Sequence, residues 1–213
     1  MKEYSTYIFD LDGTLLDTLD DLAASTNYAL RLHKMPERSL SEVRRFVGNG
    51  VSVLIHRAVP EGTPETITEC VLASFREHYL VHGQDNTRPY AGILPLLREL
   101  RNRGKRVAVV SNKFYAATEE LCRHYFGSLV EVAIGERENI RRKPSPDTVN
   151  EALSVLGCTR DDAVYIGDSE VDIATAHNSG LPCISVLWGF RDKDFLLANG
   201  AEKCISSPQE ILW

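Results

Sequence analysis

Asp10 and Asp12 stand two residues apart, directly after the apolar run Tyr7-Ile8-Phe9. On an extended segment residues i and i+2 share a side, so both carboxylates project toward a common space past a strand end. Like charges at such range raise each other's pKa unless a cation or a proton lies between them. The pair therefore points to a bound metal, or to divided labour as nucleophile and acid/base. Gly13-Thr14 then turns the chain, and a glycine there lets backbone N–H groups come close to an anion such as phosphate. The plainer alternative is a strand end followed by an Asp-Gly turn, which is common in soluble proteins.

Three later stretches carry residues that could join this pair. Ser111-Asn112-Lys113 follows the apolar run Val107-Ala108-Val109-Val110, and Asp168 follows Val164-Tyr165-Ile166-Gly167. Lys143 lies in Arg141-Arg142-Lys143-Pro144-Ser145-Pro146, just ahead of a helix that Pro146 would start. Taken singly, Ser111 fits a cap or turn residue, Lys143 a solvated surface lysine, Asp168 a helix cap and Asp172 a position on a solvent face. Taken together they suit phosphoryl transfer. Asp10 would attack phosphorus as a carboxylate, and Asp12 would protonate the leaving oxygen and then take a proton from water. Mg2+ would bind Asp10 and Asp168, keeping several waters and screening the carboxylates. Lys143 and the Ser111 hydroxyl, with backbone N–H groups around Gly13 and Asn112, would hold the phosphoryl oxygens.

The elements that must position these residues follow from hydrophobic period and punctuation. Residues 18 to about 33 carry Leu22, Thr26, Ala29, Leu30 and Leu32 near a period of 3.6, and Pro36 ends that helix. Ser39-Leu40-Ser41-Glu42 has capping-box spacing and opens a short helix that stops at Gly48-Asn49-Gly50; another is expected from Val51 to Val59. Thr63 is expected as N-cap, with Pro64 at the first helical position. After it Ile67, Val71, Phe75 and Tyr79 mark one face of a long helix. Residues 17–87 are thus expected to be wholly helical.

From Arg88 onward short β-rich runs alternate with helices. Strands are expected at Arg106 to Val110, Leu129 to Ile134, Ala163 to Ile166, Cys183 to Leu187 and near Cys204. Helices are expected at Ile93 to Arg103 and at about Tyr115 to Tyr125, Pro146 to Leu156, Glu170 to Ser179 and Asp192 to Leu197. The alternation predicts an α/β domain with a mostly parallel sheet and helices on both faces, built from residues 1–16 and 88–213. In such sheets ligands bind beyond the carboxyl ends of the strands, where Asp10, Ser111 and Asp168 fall. The helical block 17–87 is then an insertion after the first strand, a candidate lid.

Composition bounds the function. The 213 residues are 43% hydrophobic and 25% charged, as expected of a soluble globular protein. A net charge of −6 argues against nucleic-acid binding by phosphate neutralisation. The five cysteines, Cys70, Cys122, Cys158, Cys183 and Cys204, contain no Cys-x-x-Cys pair and are expected as reduced, mostly packed thiols. With no basic-then-apolar leader and no run of about 18 apolar residues, a cytoplasmic protein without membrane partners is expected. Trp188 and Trp213 are assigned to packing or surface, with Gly189-Phe190 possible at the mouth of the site.

Four segments, Asp10-Leu11-Asp12-Gly13-Thr14-Leu15-Leu16-Asp17-Thr18, Val110-Ser111-Asn112-Lys113, Lys143-Pro144-Ser145-Pro146-Asp147 and Gly167-Asp168-Ser169-Glu170-Val171-Asp172, together resemble the ordered motifs of the haloacid dehalogenase-like hydrolase superfamily. The resemblance implies a Rossmann-like core with an all-helical cap inserted after the first strand. It further implies Asp10 as nucleophile, Asp12 as general acid/base with its backbone carbonyl on Mg2+, Ser111 and Lys143 on phosphate, Asp168 as metal ligand, and Asp172 as a ligand through water or a partner of Lys143.

Within that superfamily the dehalogenases lack the second motif aspartate, so Asp12 favours a phosphatase or phosphomutase. Phosphonate hydrolases use a cap lysine, and residues 17–87 hold only Lys34. Arg45-Phe46-Val47-Gly48-Asn49-Gly50 resembles the cap loop of the phosphoglycolate phosphatase group, with Pro89-Tyr90-Ala91-Gly92-Ile93 and Gly200-Ala201-Glu202-Lys203 similar to that group as well. Arg45, Gly48 and Asn49 are therefore candidates for substrate choice, Arg45 by pairing with a substrate carboxylate; the alternative for Arg45 is a helix C-terminal residue favoured by the dipole. The expected function is Mg2+-dependent hydrolysis of a small-molecule phosphate monoester through an aspartyl-phosphate, phosphoglycolate first, by a monomer or homodimer. A β-phosphoglucomutase-like or pyrophosphatase-like role shares the same core. From another class come a non-catalytic phosphate-binding protein and a receiver domain, the latter with no place for residues 17–87. Asp17-Thr18 and residues 86–90 are expected hinges for cap closure.

Overall fold

A computed structural model describes residues 3–212, so the assignment of Trp213 lies outside the described residues. The chain divides into two compact units, Met1–Leu16 with Pro89–Trp213, and Asp17–Arg88. It leaves and re-enters the first through two short strands, β2 (Leu16–Asp17) and β3 (Arg88–Pro89), which pair with each other.

The first unit is built on a six-stranded sheet. In chain order its strands are β1 (Thr6–Phe9), β4 (Arg106–Phe114), β5 (Val132–Glu136), β6 (Ala163–Gly167), β7 (Cys183–Val186) and β8 (Cys204–Ile205). In space they run β5-β4-β1-β6-β7-β8, and every pairing is parallel. The central strands are apolar on both faces because helices cover both. Phe9, Val107, Val109, Val164 and Ile166 point to one side, against Leu96, Leu97 and Leu100 of α5 (Ile93–Asn102) and Leu121 of α6 (Tyr115–Tyr125). Ile8, Ala108, Val110 and Tyr165 point to the other, against Val149, Ala152 and Leu156 of α7 (Asp147–Leu156) and Ala176 of α8 (Glu170–Asn178). A last helix, α9 (Lys193–Ala198), precedes β8.

Register decides what meets beyond the strands. Phe9 lies level with Val109 on one side and Ile166 on the other. Asp10 is therefore one step past the same line as Val110 and Gly167, and Ser111 and Asp168 come one step later. β4 continues four residues beyond the expected Val110, to Phe114, with a register irregularity against β5 between Val110 and Phe114. Ser111 Oγ accepts the Lys113 N–H there, at 3.1 Å.

Between the ends it contributes to β2 and β3, the regular structure of the second unit is helical: α1 (Leu19–Leu32), α2 (Leu40–Phe46), α3 (Gly50–Ala58) and α4 (Glu65–His82). α2 opens on the Ser39/Glu42 capping box, with Ser39 N–H donating to Glu42 Oε2 at 2.8 Å and Glu42 N–H to Ser39 Oγ at 3.3 Å. The α4 start departs from expectation. Thr63 does not cap it; its hydroxyl donates to Pro60 O at 2.6 Å, and Pro64 is the N-cap. The buried face of α4 is Thr68, Val71, Leu72, Phe75 and Tyr79, while Ile67 is exposed, since a polar residue one position on lies closer to the i, i+3, i+7 line of Val71 and Phe75. Leu32, at the end of α1, is exposed as well.

Asp21 closes this unit on itself. Its buried carboxylate accepts the backbone N–H groups of Asn86 (3.0 Å) and Thr87 (2.8 Å), the Asn86 amide (2.9 Å) and the Thr87 hydroxyl (2.8 Å). Phe75, fully buried and stacked on Tyr79, anchors the core of the unit. Phe75→Ala is expected to cost about 3–5 kcal/mol by leaving a cavity, read as an earlier urea midpoint for the helical signal. Near-parental stability would mean that the helices do not pack as described.

All five cysteines are free. Cys70 is exposed rather than packed, because it falls on the outer face of α4. Burial pushes the thiols of Cys122 and Cys183 up to about 12, so neither is a nucleophile at neutral pH. No described helix is long and apolar enough to cross a membrane.

Candidate active site

Asp10 leaves β1 with its N–H on Ile166 O at 2.8 Å, which ties it to the neighbouring strand end. Its Oδ1 accepts the Leu11 N–H at 2.7 Å and pairs with Lys143 Nζ at 2.8 Å. Among the described residues both interactions fall on that one oxygen, so Oδ2 is the one left to react. Burial pushes the Asp10 carboxyl well above the usual carboxylate range, and the Asp172 and Asp168 charges add to this against the pull of Lys143.

Lys143 is not a solvated lysine. Its side chain is 2% exposed, and its ammonium meets Asp10 Oδ1 and Asp172 Oδ1, each at 2.8 Å, and the Tyr165 hydroxyl at 3.1 Å. Burial alone would lower its pKa, but Asp10 and Asp172 outweigh burial and hold it well above the ordinary lysine value. Asn112 sets where this lysine starts. Its amide donates to Lys143 O at 3.2 Å and accepts the Lys143 N–H at 2.9 Å. The Asn112 side chain thus holds the Lys143 backbone, a role separate from the phosphate contact expected of the backbone N–H groups around Asn112. Ser111 is buried beside it; its oxygen accepts the Lys113 N–H, which leaves the hydroxyl proton to donate.

Asp168 and Asp172 frame the other side. Asp168 Oδ1 accepts the Thr14 hydroxyl at 3.2 Å and Oδ2 the Phe190 N–H at 2.7 Å. Burial first, then the Asp172 charge, raises its pKa to about 7. Asp172 is fully buried at the start of α8, not on a solvent face, because its Oδ2 takes both the N–H (3.1 Å) and hydroxyl (2.6 Å) of Ser169. Ser169, not Asp168, is the N-cap residue of that helix.

Oxygens of Asp10, Asp168 and Asp172 lie within 4.8 Å of one another. Three buried carboxylates with one lysine among them carry excess negative charge, the arrangement a hard divalent cation relieves. Asp172 takes two hydrogen-bond donors on each oxygen, the Lys143 ammonium among them, whereas each Asp168 oxygen accepts one neutral donor and Asp10 keeps Oδ2, so Asp10 and Asp168 are the better ligands. The Asp12 side chain is outside this cluster and turns to Lys113, whose Nζ lies 3.0 and 3.2 Å from its two oxygens.

The spacing of polar residues did not expose the supports of the site. Gly13 takes φ +86°, and a Cβ there would lie 2.5 Å from Asp168 Oδ2. A Cβ on Gly189 would lie 2.3 Å from Asp168 Cβ and 2.4 Å from Gly13 O. The two glycines thus pack the Asp168 carboxyl between two turns. Trp188 belongs with them, since its indole N–H donates to Thr14 O at 3.0 Å rather than serving packing alone. Tyr165 was hidden in an apolar strand; its hydroxyl, the one polar group of that run, was the available signal. Lys113 stood in plain sight within Ser111-Asn112-Lys113 but had no visible partner, because Asp12 is about a hundred residues away.

In the helical unit Arg45 is exposed in the last turn of α2, as either reading of it requires. Gly48 follows at φ +120°, and Asn49 is the N-cap residue of α3 without a side-chain capping bond.

Residues 7–186 match the family described as haloacid dehalogenase-like hydrolase. The phosphoglycolate phosphatase of Cereibacter sphaeroides is 36% identical over 189 residues, 86% of this chain and 85% of that protein. That of Rhodobacter capsulatus is 35% identical over 191 residues, 86% and 84% of the two. A solved structure from Lactobacillus delbrueckii subsp. bulgaricus, provisionally named a phosphoglycolate phosphatase, has a TM-score of 0.94 at 37% identity, covering 99% of this chain and 97% of that one.

Proposed function

The chain belongs to the haloacid dehalogenase-like hydrolases, and from that premise we propose that it is a phosphatase acting on a small-molecule phosphate monoester through a phosphorylated Asp10. Phosphoglycolate is the leading substrate, since relatives at 31–36% identity carry that name. The observation that carries the reading is the meeting of Asp10, Lys143, Asp168 and Asp172 in one buried cluster beyond parallel strand ends.

Asp10 Oδ2 attacks phosphorus and the bond to the leaving oxygen breaks, with Asp12 giving that oxygen its proton. Asp12, now a carboxylate, takes a proton from water as the water attacks the phosphoaspartyl phosphorus, freeing Asp10 and inorganic phosphate. Lys143, at 2.8 Å from Asp10 Oδ1, and the buried Ser111 hydroxyl would hold the phosphoryl oxygens on Asp10. The Asp10 and Asp168 carboxylates, with the Asp12 carbonyl, suit Mg2+; when bound, such an ion offsets the crowded carboxylates and draws charge from the phosphoryl oxygens. Arg45, Gly48 and Asn49 are the residues of the helical unit assigned to substrate choice, with that unit acting as the cap.

The test is turnover by purified protein with Mg2+ on a panel of phosphate monoesters that includes phosphoglycolate. Release of inorganic phosphate that stops on chelation is expected; no turnover of any ester would remove the reading. Gly189→Ala offers a finer check, because the added methyl must displace the Asp168 carboxyl or the Gly13 backbone. It is expected to raise the Mg2+ concentration for half-maximal activity by about 10–100-fold, the usual range for groups that orient a ligand. An unchanged requirement would take Asp168 out of the metal set.

A further inference from the structure

The cluster around Asp10 leaves Lys113 to account for. We propose that Lys113 is a positioning residue for Asp12, gripping both carboxylate oxygens so that the general acid is aimed at the leaving group. The proposal rests on the phosphatase reading above.

The two residues are far apart in the chain and are brought together by the pairing of β1 with β4. The lysine side chain is 1% exposed and the aspartate 16%. Burying an ammonium is costly, so it persists where a partner of opposite charge receives it. Here that partner is the proposed general acid rather than a residue of the scaffold.

The lysine is itself rigidly placed. Its N–H donates to Ser111 Oγ at 3.1 Å and its carbonyl accepts the Thr118 hydroxyl at 3.2 Å. A Cβ on Gly135 of the adjacent strand would lie 2.7 Å from that same carbonyl. Asp12, by contrast, stands on a turn, one residue before Gly13 at φ +86°. A carboxylate held by one bond can rotate about it, whereas contact with both oxygens sets the plane of the group. A side chain clamped from a strand thus supplies the orientation that a turn residue lacks.

A structural ion pair would secure the turn without touching the chemistry, so the test must tell the two apart. The readout is kcat/KM, which reports events through cleavage of the P–O bond, on two esters: an alkyl phosphate, whose leaving oxygen needs a proton, and nitrophenyl phosphate, whose leaving oxygen does not. Lys113→Met is expected to lose about 10–100-fold on the alkyl ester, the scale of a misplaced catalytic group, and far less on the aryl ester. Asp12→Ala should show the same asymmetry. In the Asp12→Ala background, Lys113→Met should cost no more than about twofold, the ordinary error of additivity, since nothing remains to be aimed. Lys113→Arg should recover part of the alkyl activity.

Equal losses on both esters, or a full further loss in the Asp12→Ala background, would overturn the proposal. If Lys113→Met does not fold, Lys113→Arg is compared on the same two esters: a loss confined to the alkyl ester supports the role and an equal loss overturns it. Parent protein inactive on both esters would defeat the phosphatase reading itself. An active parent that needs Asp12 but not Lys113 would defeat this inference alone.

Discussion

Asp10→Asn is expected to abolish turnover while leaving the fold intact. Asparagine has nearly the size of aspartate, and its carbonyl oxygen can still accept the Leu11 N–H that Oδ1 accepts now. The atom that replaces Oδ2 is then an amide nitrogen, whose lone pair is delocalised and which cannot form the phosphoaspartyl bond. A loss of about 10⁴-fold or more in kcat is expected, the scale found when a covalent nucleophile is removed. Stability should move differently. Asp10, Asp168 and Asp172 crowd three carboxylates together, and burial raises the pKa of Asp10 and Asp168. Removing one of these charges relieves repulsion, and Lys143 keeps its 2.8 Å pairing with Asp172. The variant should therefore melt no lower than the parent in the absence of metal, as expected where function maintains a strained site. Steady-state kinetics beside a thermal melt checks both parts. A variant that melts normally and turns over at near the parent rate would end the nucleophile assignment.

Asp12→Ala carries the second largest expected effect, about 10²–10⁴-fold in kcat, the range for a general acid/base. Asp12 stands apart from the carboxylate cluster, so its removal should leave Mg2+ affinity close to that of the parent. That separates its role from the role of Asp168, whose loss should act through the metal. The Asp12 turn is held without its carboxylate, by the Gly13 N–H on Leu16 O at 2.9 Å and by the Leu15 and Leu16 N–H groups on Leu11 O at 3.0 and 2.9 Å. Phosphate release on an alkyl ester, measured across a Mg2+ titration, gives both quantities. A fall in metal affinity matching the fall in kcat would mean that Asp12 works by holding the ion rather than by moving a proton.

Much of this was legible in the chain because it is local. The Ser39/Glu42 capping box depends on residues three apart, and the alternation of Phe9 against Ile8, or Val109 against Val110, depends on neighbours. Both leave marks that survive without any tertiary context. Where a local signal had a competitor of similar strength it misled. Thr63 had the right type and place for an N-cap, yet its hydroxyl found Pro60 O. Ile67 had the right type for a buried face, yet the phase of α4 is set by Val71, Phe75 and Tyr79 together. The helix leaves one isoleucine exposed and buries Val71, Phe75 and Tyr79 on one face.

The sequence by itself determined the α/β alternation, the helical insert, and which ionisable residues follow which strand, because strand and helix periods and the turn residues between them are properties of adjacent positions. Only the tertiary structure decided how those residues are used. It pairs Lys143 with Asp10, Asp172 and Tyr165, gives the Asn112 side chain to a backbone, joins Lys113 to Asp12, and wedges Asp168 between Gly13 and Gly189. Each of these contacts joins parts of the chain far apart in sequence, through the register of a parallel sheet. Burial then biases the charge states, raising the Asp10 and Asp168 carboxyls above the usual carboxylate range while Asp10 and Asp172 hold Lys143 above the ordinary lysine value.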